Sequence, residues 1–254
     1  MEKVVIFGNS LYAELYHFCL THDSPCEVAA FTVDREYITD TSLFGLPVVP
    51  FDEVERLFPP AEYSMIVSVS FQKVNSVRER KYREAREKGY RLIRYVSSRA
   101  VTWPNLEIGD NCVIGAHCTV EPFVTIGNNV TVTTSVTVGH HVTVGDNVFI
   151  APGAILLGGV TVGDNSLIGA NATIKEGVTI GRECIIGTGV SITSNTVERG
   201  VYVNRPPELS PRRSNELREW LAWPSDPLKP RWGSGARRRQ HGAVPDQAHR
   251  EAVQ

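Results

Sequence analysis

His140 and His141 stand side by side in the stretch VTVGHHVTVGD, from Val136 to Asp146. Imidazole is the side chain whose ordinary pKa lies nearest neutrality, so such a pair can take up and return a proton, or hold a metal ion. The residues around the pair are small, aliphatic or turn-forming. Whatever positions the imidazoles is therefore a repetitive backbone.

Read from Asn105, the chain falls into hexads without an insertion: NLEIGD, NCVIGA, HCTVEP and onward to GVSITS, fifteen in all, ending at residue 194. The fourth position is Ile, Val or Leu every time, from Ile108 to Ile192, and the second is Val, Ala, Cys, Ser or, once, Leu. A short period of this kind is the signature of a solenoid. Each hexad supplies one strand and one corner, so inward aliphatics stack on their counterparts about 4.8 Å away in the next coil. Gly, Asn and Asp at the corners tolerate the positive φ of a tight turn. Three hexads close a triangle, so eighteen residues make a coil and the run predicts five coils, about 24 Å tall. His140 is then the sixth position of one hexad and His141 the first of the next. Both sit on a corner, outside the inward stack, and one coil beyond His140 comes Gly158.

The first hundred residues have a different grammar. Strands at 4–7, 27–33, 46–49, 64–70 and 91–97 alternate with helices at 11–21, 52–58 and 74–88, which predicts an α/β domain with a parallel sheet. The first strand runs into Gly8, Asn9 and Ser10. Only Gly8 survives of a GxGxxG fingerprint, so NAD is not expected. Asn9 and Ser10 can still donate hydrogen bonds, and Asp34, ending the second strand, can take ribose hydroxyls; a turn with a capping aspartate uses the same residues. The expected division is 1–100 α/β (Rossmann-like in the family resemblance given below), 101–204 solenoid, 205–223 a capping segment with a short helix from Ser214 to Trp223, and 224–254 a tail too poor in aliphatics to fold.

Composition narrows the partners. A formal charge of −2 argues against nucleic acid, and no apolar run approaches the length of a membrane span. Five cysteines, three of them (Cys112, Cys118, Cys184) at the inward second position, read as core filler rather than a disulfide framework or metal site. A cytoplasmic location follows as the default.

The hexads resemble the hexapeptide-repeat family, and this resemblance implies a left-handed parallel β-helix; the general rule for parallel crossovers would favour the opposite hand. Over about residues 3 to 207 the arrangement resembles the sialic-acid O-acyltransferase and nucleotide-amino-sugar N-acetyltransferase family. VVIFGNS is similar to that family's opening strand and glycine turn, NLEIGDNCVIG to its first helix turns, and VGHHVTVGDNVFIAPGAILLGGVTVGD to its active-site coil. The resemblance implies an acetyl-CoA-dependent acetyltransferase acting on a nucleotide-linked sugar for surface polysaccharide, as a homotrimer with acetyl-CoA lying between neighbouring helices. It puts the general base on His140, the oxyanion donor on the Gly158 N–H, further backbone contacts to the cofactor on Ala170 and Thr188, and sugar-nucleotide contacts on Gly8, Asn9, Ser10 and Asp34. The acidic neighbour that orients the base falls on His141. This is a departure, for which either Glu121 or Glu176 supplies the missing charge or the two histidines share the role. Two other readings stay open: a noncatalytic trimeric scaffold or sugar-nucleotide binder, and a zinc hydratase like the hexapeptide-repeat carbonic anhydrases, whose ligand spacing His117, His140 and His141 lack.

Overall fold

The computed structural model describes residues 1–204; the expected segments 205–223 and 224–254 lie outside them. The chain opens with β1 (Glu2–Phe7), α1 (Leu11–Asp23), β2 (Cys26–Val33), β3 (Ser42–Leu43), β4 (Leu46–Pro50), α2 (Val54–Leu57), β5 (Ser64–Val67) and α3 (Ser76–Glu87). The sheet order is β3-β4-β2-β1-β5. Val4 and Ile6 of the central strand face one apolar cluster with α1, while Val5 and Phe7 face a second on the other side. Burial on both faces is why β1 reads as an unbroken apolar run. The sheet is mixed rather than all parallel, because β3 and β4 form an antiparallel hairpin. Its two turn residues, Phe44 (φ 51°) and Gly45 (φ 76°), both take the left-handed conformation that a two-residue hairpin demands.

The expected strand 91–97 is divided between two sheets. Met65 of β5 bonds through its N–H to Arg91 O and accepts from Ile93 N–H, and then Tyr95–Val96 (β6) pairs with Val113–Ile114 in the solenoid. An apolar run does not say which sheet will claim it.

The hexads wind into a three-sided parallel β-helix with an offset of eighteen residues, as in Thr125↔Thr143 and Val138↔Leu156. Face I carries Glu107–Ile108 through Thr179–Ile180, face II runs from β6 through Val113–Ile114 to Val201–Tyr202, and face III carries Thr119–Val120 through Ser191–Ile192. The inward second and fourth positions are buried from Cys112 to Ile192. The solenoid extends beyond the five predicted coils: face II has seven strands. Val96 and Ala100 already pack on the solenoid core, although the surrounding hexads are unrecognisable. At the other end Val201 pairs with Ile185, an offset of sixteen, so the final coil is two residues short.

From Asn111 to Gly189 every corner places a left-handed residue at position one. Asn, Gly and Ser fill most of these sites, but His117, Phe123, His141 and Glu183 adopt φ between 55° and 64° as well. For residues with a Cβ the conformation costs roughly 1–2 kcal/mol, an expense the coil geometry imposes whatever the side chain.

The N-terminal domain covers face II and the edge between faces I and II. Arg78 of α3, 1 % exposed, donates from Nε and Nη2 to Asn129 O. Asn75 donates to Asn165 O and Ser166 O, and Asn165 in turn donates to Glu79. From α1, Tyr16 meets Thr131 at 3.2 Å and Tyr12 packs edge-on to Phe149. The edge between faces III and I, which carries the histidine pair, is the one opposite face II.

Candidate active site

The part of the III/I edge around the pair is built by three consecutive coils. Gly139 precedes the pair because a Cβ there would lie 2.8 Å from Gly158 N and 3.0 Å from Leu156 O, where backbone cannot give way. His141 N–H then donates to Pro122 O in the coil below, and His140 O accepts from Gly159 N–H in the coil above. These bonds fix the corner and leave both rings exposed.

The coil spacing places His140 on Gly158 as predicted. A Cβ added to Gly158 would fall 2.5 Å from Cε1 and 2.6 Å from Nε2 of His140, so the imidazole occupies the space that any other residue would fill. Sixth-position N–H groups are spare donors in this repeat unless a side chain from an adjoining coil accepts them. Asn128 N–H and Asp146 N–H are taken by Asp146 and Asp164, and His140 N–H by Glu121 Oε2 at 2.8 Å. No acceptor among the described residues takes the N–H of Gly158, Ala170 or Thr188.

Glu121, one candidate for the missing acid, is thus committed to the backbone of His140 rather than to its ring. The ring's partner is His141, with Nδ1 to Nδ1 at 3.1 Å. One of the two nitrogens donates and the other accepts. With the hydrogen on His140, its Nε2 keeps a lone pair beside Gly158. Glu176 makes no hydrogen bond among the described residues. Phe123 was not anticipated: its ring packs at a tilt against His141, 4.7 Å between centroids. Coil arithmetic could have found it, since 123 plus 18 is 141.

The other site residues fall in two places. His117 lies on the II/III edge, away from the pair, so the structure does not gather the three histidines. Ala170 and Thr188 also lie on the II/III edge and stack one coil apart, with Gly189 N–H donating to Ala170 O. Face III separates them from Gly158.

Gly8, Asn9, Ser10 and Asp34 gather at the carboxyl ends of β1 and β2, beside the point where the sheet order reverses, which is where open α/β sheets bind ligands. Gly8 has φ 125°, and a Cβ there would meet Ser68 Oγ at 2.5 Å. Ser10 caps α1 with its carbonyl, and Asn9 Nδ2 spends a hydrogen on Tyr37 O. Asp34 is held by Lys81 Nζ at 2.6 Å, a lysine only 7 % exposed that also bonds Glu84. Nothing in the sequence marks Lys81, because an amphipathic charged helix gives no sign of which lysine turns inward.

A cavity of about 710 Å³ lies between α1 and face II, lined by Tyr12, Leu15, Tyr16, Thr131, Thr133 and Pro152. It is not at the histidine edge, which in a single chain is a convex corner.

Residues 105–140, 123–158 and 141–176 match the bacterial transferase hexapeptide (six repeats) family, and 159–194 match the hexapeptide repeat of succinyl-transferase. Comparison with curated proteins gives no match. Among solved structures, PerB from Caulobacter crescentus in complex with CoA and GDP-perosamine is 25 % identical, with TM-score 0.68 over 80 % of this chain and 92 % of that one. A histidine-to-asparagine variant of perosamine N-acetyltransferase from the same organism, also with CoA and GDP-perosamine, gives 24 %, 0.71, 79 % and 93 %. The acetyltransferase domain of PglB from Neisseria gonorrhoeae in complex with acetyl coenzyme A gives 23 %, 0.65, 75 % and 92 %. Residues 105–194 thus match hexapeptide-repeat models of transferases, and the described chain has the fold of these acetyltransferases, a Rossmann-like α/β domain followed by a left-handed parallel β-helix.

Proposed function

We propose that this chain is an acetyl-CoA-dependent acetyltransferase, acting on an amino or hydroxyl group of a nucleotide-linked sugar for surface polysaccharide, in a cytoplasmic homotrimer. The observation that carries the proposal is the seating of the His140 imidazole on Gly158, which puts a proton acceptor and a spare backbone donor on one edge. His140 Nε2 removes the proton as nitrogen or oxygen attacks the thioester carbon. Gly158 N–H holds the oxyanion, a contribution typically of ~3 kcal/mol. Collapse expels the CoA thiolate, which takes the proton back from His140. No covalent enzyme intermediate is required.

The placement of the donors supports the trimer. Gly158 occupies the III/I edge and Ala170 and Thr188 the II/III edge, so one extended CoA molecule meets all three N–H groups where these edges of two copies lie together. A closed threefold ring repeats that groove three times. The N-terminal crevice lies on the side of face II, so a nucleotide-linked sugar held there by Gly8, Asn9, Ser10 and Asp34 reaches the His140 of a neighbouring copy rather than its own. The CoA and GDP-perosamine bound by the structural neighbours support both halves of this reading.

Thiol release from acetyl-CoA, measured against a panel of nucleotide-linked amino sugars, tests it. Acceptor-dependent release by the natural chain and its loss in His140→Ala are expected. Binding of a nucleotide sugar without release for any acceptor would make the chain a noncatalytic binder, and an active monomer in sedimentation would remove the shared groove.

A further inference from the structure

We propose that His140, His141 and Phe123 form one proton-holding unit, in which the charge arising when His140 takes a proton is passed to His141 and carried against the Phe123 ring. The catalytic part rests on His140 being the base. Two Nδ1 atoms at 3.1 Å need one hydrogen between them, since two lone pairs or two N–H groups would repel. With that hydrogen on His140, its Nε2 is free and His141 Nδ1 accepts. When Nε2 takes the acceptor's proton, the N–H bond at His140 Nδ1 breaks as the one at His141 Nδ1 forms. His140 ends neutral with its hydrogen on Nε2, and His141 ends as the imidazolium. On collapse the shift reverses and Nε2 gives its proton to the departing thiolate, so no proton is gained or lost by the pair.

Phe123 is what makes His141 a suitable resting place for the charge. It is 77 % exposed and holds φ 64°, an expensive conformation for an aromatic residue that buries little. What its ring touches is the imidazole of His141, 4.7 Å between centroids at 36°. An aromatic face at that distance attracts a cation. Among the described residues, the groups surrounding the pair are few. The coil below brings Phe123 and Glu121, whose carboxylate is bonded to the His140 backbone. The coil above brings Gly158 and Gly159, which carry no charge, and Glu176 lies one coil further on. Phe123 is thus a positioning residue, acting through His141.

Nitrogen-15 NMR of the histidines in the intact protein without substrate, joined to steady-state kinetics, tests the unit in the natural chain, Phe123→Leu, Phe123→Tyr and His141→Asn. At rest His140 should carry its hydrogen on Nδ1 and His141 on Nε2, and the first proton added should perturb both rings together. Phe123→Leu should weaken that first protonation and lower kcat about two- to fivefold, leaving KM for acetyl-CoA unchanged, while Phe123→Tyr restores both. In His141→Asn the His140 ring should titrate alone. Independent titration of the two rings in the natural chain, or equal losses in Phe123→Leu and Phe123→Tyr, would overturn the unit. If Phe123→Leu fails to fold, the tautomers and coupled titration of the natural chain still decide. A coupled pair with no thiol release for any acceptor would leave the unit standing and remove the acetyltransferase reading; release with independent rings would do the reverse.

Discussion

Two edges of the same solenoid use the same hexad positions for opposite ends. On the I/II edge the first position is Asn in four successive coils, and the side chains form a ladder, Asn111 to Asn129 at 2.7 Å and Asn129 to Asn147 at 2.8 Å, that continues to Asn165. The ladder ends on β5 at Val67 and on α3 at Glu79. Its polar groups are paired, and the N-terminal domain lies over it. On the III/I edge the corresponding residues are Phe123, His141, Gly159 and Gly177, with exposed imidazoles and a glycine cleared for one of them. A repeat frees its corners from any duty to the core. Satisfied polar groups then make a corner a structural seam, and unsatisfied ones make it a place for chemistry.

Substitutions on the two edges should therefore separate activity from stability. His140→Ala should lower acetyl transfer by about 10²–10⁴-fold, as general-base loss does, with an unchanged melting temperature because the ring is exposed. His141→Ala should cost less; if thiol-release kinetics show it to be the more damaging change, the base is His141 and the pairing with Gly158 loses its meaning. Gly158→Ala keeps the N–H but drives a methyl into the His140 ring, and a loss of about 10²-fold in kcat is expected, with the trimer intact by sedimentation.

The seam should respond the other way. Asn129→Ala leaves buried partners above and below without their amide, and a destabilisation of about 1–3 kcal/mol by denaturant titration is expected, with kcat in folded protein unchanged. Loss of activity without loss of stability would show that the two edges are not independent.

The smallest effect is confined to acid. Asp23, at the end of α1, accepts hydrogen bonds from Ser98 N–H, Tyr95 Oη and Ser97 Oγ, and these hold its carboxyl well below the usual carboxylate range. A depressed pKa means stability present above the unfolded value, near 4, and lost as the pH falls through the lower folded one. Asp23→Asn should flatten melting temperature against pH below about 4, and an unchanged slope there would place the acid sensitivity elsewhere.

Legibility followed repetition. The inward stack from Cys112 to Ile192, the eighteen-residue coil and the contact of His140 with Gly158 could be read because every coil copies its neighbour, so counting substitutes for folding. Counting failed where the copying stopped. Val96 and Ala100 join the solenoid inside hexads of no recognisable type, and the last coil closes two residues early. The N-terminal elements were readable as α/β, but the β3–β4 hairpin hung on a Phe-Gly turn that composition does not advertise. Lys81 beneath Asp34 and Glu121 on the His140 backbone depend on where long side chains happen to reach.

From the sequence alone came the period, the inward positions and the corner occupied by each histidine, because a six-residue repeat fixes strand, turn and stacking by local geometry. Which corner is a seam and which stays open was decided by the tertiary structure. The hexad is nearly the same on all three edges, so their difference arises from what packs on them: among the described residues, Arg78 and Asn75 bind α3 to the I/II edge and α1 covers face II, leaving the opposite edge bare. The hydrogen bond between the two imidazoles was decided there too, since adjacency in sequence does not turn two side chains toward each other. It took the left-handed backbone of His141, with Phe123 beneath it, to bring Nδ1 to Nδ1.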